Sequence, residues 1–188
     1  MRPSEQMRNL GIVQYGAPIL AEPARSFQLP AERENAETLV ASLFAAMERL
    51  AGAHDFSGKG LGLAAPQIGV DRAAAVVRPP DADPIVLLNA RITDASEQTD
   101  ERYEGCLSFF DVRVLVPRAR QITVETMTPD GSKTTAAYVH GTARLIAHEI
   151  DHLDGLLLFH RLRPGVSPIS VEEYRTCAET TGRAWTYE

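Results

Sequence analysis

From Ala31 to Ala51 the apolar residues Leu39, Leu43, Met47 and Leu50 recur at spacings of four, four and three, and Val40 and Phe44 widen the stripe. That is the period of a helix with one buried face. Pro30 opens it and Gly52 stops it. A second stripe, Leu145, Ile146, Ile150 and Leu153, predicts a helix from Gly141 or Thr142 to Asp154, with Gly155 as the stop. Between the two, strand-like stretches cover Ala73–Arg78, Ile85–Asn89, Arg113–Val116 and Gln121–Thr126. Pro129-Asp130-Gly131 is a turn signal, and Thr134–His140 reads as its return strand. Tyr15–Leu20 reads as a turn entering an extended segment, residues 53–60 as a loop, and Val171–Thr180 as a short helix in a tail punctuated by Gly and Pro. Helix, many short strands, helix is the order of an α+β fold rather than an alternating α/β one.

Composition narrows this little. A chain of 188 residues with 44% apolar content can bury its own core as one domain. Its net charge of −6 and lack of a Lys/Arg block argue against non-specific nucleic-acid or membrane-surface binding. No apolar run spans a bilayer, and Met1–Gln14 lacks the pattern of a secretory signal, so a cytoplasmic location is expected. Two cysteines, Cys106 and Cys177, do not make a disulfide scaffold. A bridge between them is the plain alternative to a functional Cys106. Cys177 reads as a small apolar residue of the tail helix.

The chemistry begins at His148-Glu149-Ile150-Asp151-His152. On a helix, two imidazoles four residues apart share one face and can grip one divalent metal. An open catalytic site needs a third protein ligand. His160 lies eight residues past His152, beyond the Gly155 stop, and Glu172 and Glu173 are in the tail, so the Cys106 of Glu104-Gly105-Cys106-Leu107-Ser108 is the better donor. Two imidazoles and a thiolate suit Fe(II) or Zn(II), and the donor types also admit Ni(II) or Co(II). Glu149 is the natural general base toward a metal-bound water. Asp151 reads equally as an acceptor for a ligand imidazole or as a solvated charge. The segment Gly60-Leu61-Gly62-Leu63-Ala64-Ala65-Pro66-Gln67 ends in an amide that either caps a turn or stabilises an oxyanion. Its small residues would let a peptide backbone approach closely. No Gly-Lys-Ser/Thr follows it, which excludes a phosphate loop.

These three segments, in this order, resemble the signatures of peptide deformylases: Gly-φ-Gly-φ-Ala-Ala-x-Gln, Glu-Gly-Cys-φ-Ser and His-Glu-φ-Asp-His, with φ apolar. Tyr15-Gly-Ala-Pro-Ile-Leu20, Val116-Pro117-Arg118 and His152-Leu153-Asp154-Gly155 extend the likeness over residues 10–164. The resemblance implies a catalytic domain over 1–164, with 165–188 an extension packed on it or trailing from it. It implies an α+β fold of short, mostly antiparallel strands around a central metal-binding helix. The implied reaction is hydrolysis of the N-formyl group from the initiator methionine of new polypeptides, at one divalent ion, Fe(II) first. By motif position, Cys106, His148 and His152 are ligands and Glu149 the base, while Gln67 and the Leu107 N–H hold the oxyanion. Leu61, Gly62, Gly105 and Glu104 are placed at the peptide, and a Glu104–Arg118 salt bridge is expected. The implied partners are N-formyl-methionyl peptides, met transiently at the ribosome exit. Neither nucleic acid nor membrane is expected as a partner. Three departures stand out: Phe109-Phe110 where many members have proline, Ala147 where many have glutamine, and a tail without the basic helix some bacterial members use at the ribosome. They leave room for a deformylase of small metabolites, whereas intact Glu149 and Gln67 argue against a binding module without catalysis. A conventional zinc endopeptidase lacks its downstream ligand.

Overall fold

The computed structural model describes residues 2–54, 56, 60–80 and 82–181, with side chains through residue 176. A short helix that no apolar period announced, α1 (Pro3–Asn9), opens the chain. Its first N–H groups are taken by side chains: Glu5 accepts from Arg2 N–H at 2.9 Å and Asp111 from Ser4 N–H at 3.0 Å. The first stripe forms α2 (Arg33–Ala53), two residues later at each end than its period suggests, with Leu39, Leu43, Met47 and Leu50 buried.

Strands β1 (Leu61–Ala64), β2 (Ala74–Arg78) and β3 (Ile85–Leu88) form an antiparallel sheet in the order β1-β2-β3. The continuous apolar runs of β1 and β2 reflect burial on both faces, whereas in β3 only Leu87 and Leu88 are buried. Leu63, Ala74, Val76 and Leu88 pack with the α2 stripe. Ala64, Ala75, Val77 and Leu87 pack on the other side, with Ile146, Ile150 and Leu153. Those three residues belong to α3 (His140–Leu153), the second predicted helix. β1 is not among the predicted strands: four residues of Gly, Ala and Leu carry little strand signal, and burial of all four makes the strand. β1 pairs with β2 alone, so its other edge is open among the described residues.

A second sheet has the order β4-β7-β8, from β4 (Arg91–Ala95), β7 (Gln121–Met127) and β8 (Lys133–Val139). A third has the order β5-β6-β9, from β5 (Thr99–Glu104), β6 (Val112–Ala119) and β9 (Ile169–Ser170). All pairings among the described strands are antiparallel. β4 and β5 escaped the sequence reading because neither alternates apolar with polar. β4 is exposed throughout, and in β5 the less exposed positions Asp100, Arg102 and Glu104 are themselves charged. Beyond residue 164 the chain returns to the sheet. β9 pairs with Val112 and Arg113 and leads into α4 (Val171–Thr181). The Cys177 side chain lies outside the described residues. No described helix is long and apolar enough to cross a membrane.

Candidate metal centre

α3 runs between the first two sheets, and its polar face turns toward the end of β5. His148 and His152 sit one turn apart on that face, ring centroids 5.1 Å from one another. Cys106 lies just past β5, in extended backbone, at the start of a 3-10 turn over Leu107–Phe109. It is a free, buried thiol. Its Sγ is 3.2 Å from His152 Nε2, and one donor atom each from Cys106, His148 and His152 all lie within 4.8 Å of one another. A tetrahedral centre with ordinary metal–sulfur and metal–nitrogen bonds needs an S···N separation of about 3.6 Å, so the donor set fits one divalent ion.

The protonation of the two imidazoles differs. Burial works against a charge on His148, but its hydrogen bonds to Cys106 and Glu104 and the nearby negative charges outweigh it, so its pKa stands well above the ordinary value. Nδ1–H of His148 faces Glu104 Oε2 at 3.1 Å, which leaves Nε2 for the cluster. A cation binding there must release the second proton. His152 is held well below its ordinary value, by burial first and then by the positive charges of His148 and Arg118. It is a neutral donor.

Glu149 is buried, and its Oε2 has no hydrogen-bond partner among the described residues. Burial pushes its pKa up to about 7, against the pull of His148 and Arg118. A cation nearby would lower it again. The carboxylate lies directly against Gly62 of β1: a Cβ there would fall 2.6 Å from Glu149 Cδ. Gly62→Ala is therefore expected to displace the carboxylate and cut turnover by about 100-fold while the bound metal is retained. Parallel measurement of kcat and metal content checks this; near-normal turnover would show that Glu149 need not sit there.

Gln67 caps the turn, one of its two readings from the sequence. Its Oε1 accepts from Ala64 N–H at 2.9 Å and caps the turn, which leaves Nε2 pointing at Cys106 Sγ, 3.6 Å away, and at Ser108 Oγ, 3.3 Å away. The peptide planes around Leu107 are also fixed. Phe109 N–H donates to Cys106 C=O at 3.2 Å, and Gln14 Nε2 to Leu107 C=O at 3.2 Å.

Behind the histidines lies a buried ionic network. Arg118 donates to Glu104 through Nε at 2.7 Å and Nη2 at 3.0 Å, the pair expected from sequence, and to Asp151 through Nη1 at 3.0 Å. Arg144 Nη1 reaches Glu104 at 2.5 Å. Burial alone would raise the Glu104 pKa, but the charge of Arg118 and the bonds from His148 and Arg118 hold it far below the carboxylate range. Glu104 reaches the cleft wall, yet both its oxygens are engaged by Arg118, Arg144 and His148. Asp151 is neither solvated nor bound to an imidazole; it pairs with Arg118 and Arg161. Sequence reasoning missed Arg144. Its signal was present, a cation four residues before His148 on the same helical face.

A cleft of about 260 Å³ opens over these groups. Every candidate site residue lines it except His152, which lies beneath, against Cys106. The open edge of β1 forms one wall, through Leu61 and Gly62, and Gly105 the other. Phe110, Arg113, Tyr174 and Arg175 complete the rim, and none of them was singled out as a binding residue from sequence.

The fold and this centre define the class, a hydrolase with a buried Cys/His/His cluster of metal-binding type beside an open cleft. The sequence model of the polypeptide deformylase family matches residues 9–167, and the chain belongs to that family. It is 42% identical over 151 residues to the peptide deformylase of Desulforudis audaxviator, covering 80% of this chain and 91% of the relative. To that of Acidobacterium capsulatum it is 36% identical over 156 residues, covering 80% and 85%. Solved structures agree. Thermotoga maritima peptide deformylase superposes with a TM-score of 0.68 at 28% identity over 81% of this chain and 97% of that one. Arabidopsis thaliana peptide deformylase 1B, in complex with an inhibitor, gives 0.72 at 27% identity over 94% and 95%. Members are metal-dependent hydrolases that remove the N-formyl group from nascent polypeptides.

Proposed function

We propose that this chain deformylates N-formyl-methionyl peptides at one divalent ion held by Cys106, His148 and His152. The donor types admit Fe(II), Zn(II), Ni(II) or Co(II), and the family resemblance puts Fe(II) first. The observation that carries the reading is the convergence of three donor atoms within 4.8 Å beside a buried carboxylate whose Oε2 is unpartnered among the described residues. Bound there, the ion supplies Lewis acidity and makes a coordinated water acidic near neutral pH.

The chain's own residues do the rest. Glu149 takes the proton of the attacking water at its free oxygen and delivers it to the leaving amine. Gln67 Nε2 and the Leu107 N–H hold the oxyanion; their carriers are fixed by the Ala64 and Phe109 bonds, so the donors need no rearrangement. The peptide backbone lies as an added strand between the open edge of β1, at Leu61 and Gly62, and Gly105. A peptide deformylase from Acinetobacter baumannii, TM-score 0.68 to this chain, was solved with Met-Ala-Ser bound, which supports a peptide of that kind as the ligand. We assign Glu104 to orienting His148 rather than to the peptide, because its oxygens are already engaged. Residues 1–164 form the catalytic unit, and 165–188 an extension whose β9 and α4 flank the cleft. The nascent chain is met transiently at the ribosome exit.

Formate release from a formyl-Met-Ala-Ser peptide tests this, with protein purified without oxygen and Fe(II) or Ni(II) supplied. Release that a chelator abolishes is expected, together with loss of bound metal in Cys106→Ala. No release from protein holding one metal per chain would overturn the function. Stoichiometric metal in Cys106→Ala would exclude that ligand.

A further inference from the structure

The arginines around the centre are paired with carboxylates: Arg118 with Glu104 and Asp151, Arg144 with Glu104 and Asp100, Arg161 with Asp151, Arg163 with Glu101. Arg113 is different. It lines the cleft half-buried, and no carboxylate pairs with it among the described residues. Its Nη1 donates to two carbonyls, Val112 at 2.9 Å and Phe110 at 3.4 Å, which fix its position without neutralising it. The guanidinium carbon stands 5.3 Å from the Phe110 ring centroid and 6.0 Å from that of Tyr174. It also lies across Gly105, where a Cβ would meet it at 2.7 Å. A second cation, Arg175 on the exposed face of α4, lines the same cleft and repels Arg113. Two like charges at one mouth are unfavourable in a chain that could offset them, given its net charge of −6. Of the acids that reach the cleft, Glu104 is engaged by arginines and Glu149 lies at the inner end, against Gly62.

The path of the substrate passes this pair. Gly62 marks the reacting end, at Glu149, and Gly60, which immediately precedes β1, also lines the cleft. With the peptide added to the open edge of β1, as proposed above, its second and third residues enter the part of the cleft that Gly105, Phe110 and Arg113 line. Because strand side chains alternate, one of the two faces the guanidinium.

Resting on the proposed deformylase reading, we propose that Arg113 and Arg175 make the outer cleft selective for formyl peptides with an acidic side chain at the second or third position. A half-buried guanidinium held by hydrogen bonds, with a second cation beside it at the rim, attracts a carboxylate and rejects an ammonium.

The test measures kcat/KM for C-terminally amidated formyl-Met-Ala-Ser and its Glu and Lys variants at positions two and three. At one of the two positions Glu is expected to exceed Lys by about tenfold at low ionic strength, with the ratio shrinking as salt rises. R113Q should bring the ratio toward one. R175E, on an exposed helix face away from the core, should bring it to one or invert it. Because the readout is a ratio within each variant, a general loss of activity does not mimic the effect. Turnover of all peptides with no charge discrimination, or a ratio untouched in both variants, overturns this proposal alone. Absence of turnover on every peptide, neutral ones included, overturns the deformylase reading and this proposal with it.

Discussion

Glu149→Gln is expected to lower kcat for deformylation by about 100- to 10,000-fold, the range a positioned general base supplies, with metal content unchanged. The substitution keeps the shape of the side chain, so the close fit against Gly62 survives, and Cys106, His148 and His152 keep their donors. What is lost is the ability to take a proton at a buried oxygen that has no partner among the described residues. The same change removes a carboxylate from a site where burial disfavours its charge. Thermal stability should therefore be unchanged or raised, a trade-off expected where function keeps an unfavourable group in place. KM should move little, because Glu149 makes no contact the proposed ground-state peptide needs. Formate release, metal analysis and a thermal melt on one preparation separate these effects. Wild-type rates in the variant would remove Glu149 from the mechanism.

Periodicity revealed the parts of this fold whose burial is apolar, and missed those whose burial is ionic. The stripes of α2 and α3 stand in the sequence because each buries a face of Leu, Ile and Met. The strands β2, β3, β6 and β7 are legible as strand-like runs, and β8 as the return strand of the Pro129-Asp130-Gly131 turn. In β5 the buried position is Glu104, held by Arg118 and Arg144, and no hydrophobicity pattern reports that. The centre was legible for a different reason: His148, Glu149 and His152 owe their arrangement to helical spacing alone, which sequence preserves. The contributions of Arg113, Tyr174 and Arg175 depend on β9 pairing with β6 across a long stretch of chain, and nothing local announces that pairing.

The ionic network also predicts where the centre is vulnerable from a distance. Arg118 is buried on β6 and bridges Glu104 on β5 to Asp151 on α3, so it ties the strand leading to Cys106 to the helix that carries both histidines. Arg118→Met keeps much of the side chain's volume but leaves two buried carboxylates short of a cation. Breaking such a pair by removing one partner costs about 3–5 kcal/mol. Glu104 retains Arg144 and Asp151 retains Arg161, which places the expected loss near the low end, about 3 kcal/mol. Arg161→Met is the contrast. That side chain is 43% exposed, and its loss should cost no more than about 1 kcal/mol. Arg118→Met should also weaken metal binding by about 10- to 100-fold, because Glu104, freed of its bidentate partner, no longer fixes the His148 ring. Urea unfolding of the two variants, read at the midpoint with the slope held constant, and metal titration of the folded proteins measure both effects. A stability loss in Arg118→Met no larger than in Arg161→Met would show that the buried network is not what holds the two halves of the centre together. A large stability loss with metal affinity intact would instead confine Arg118 to the fold and leave the orientation of His148 to Arg144.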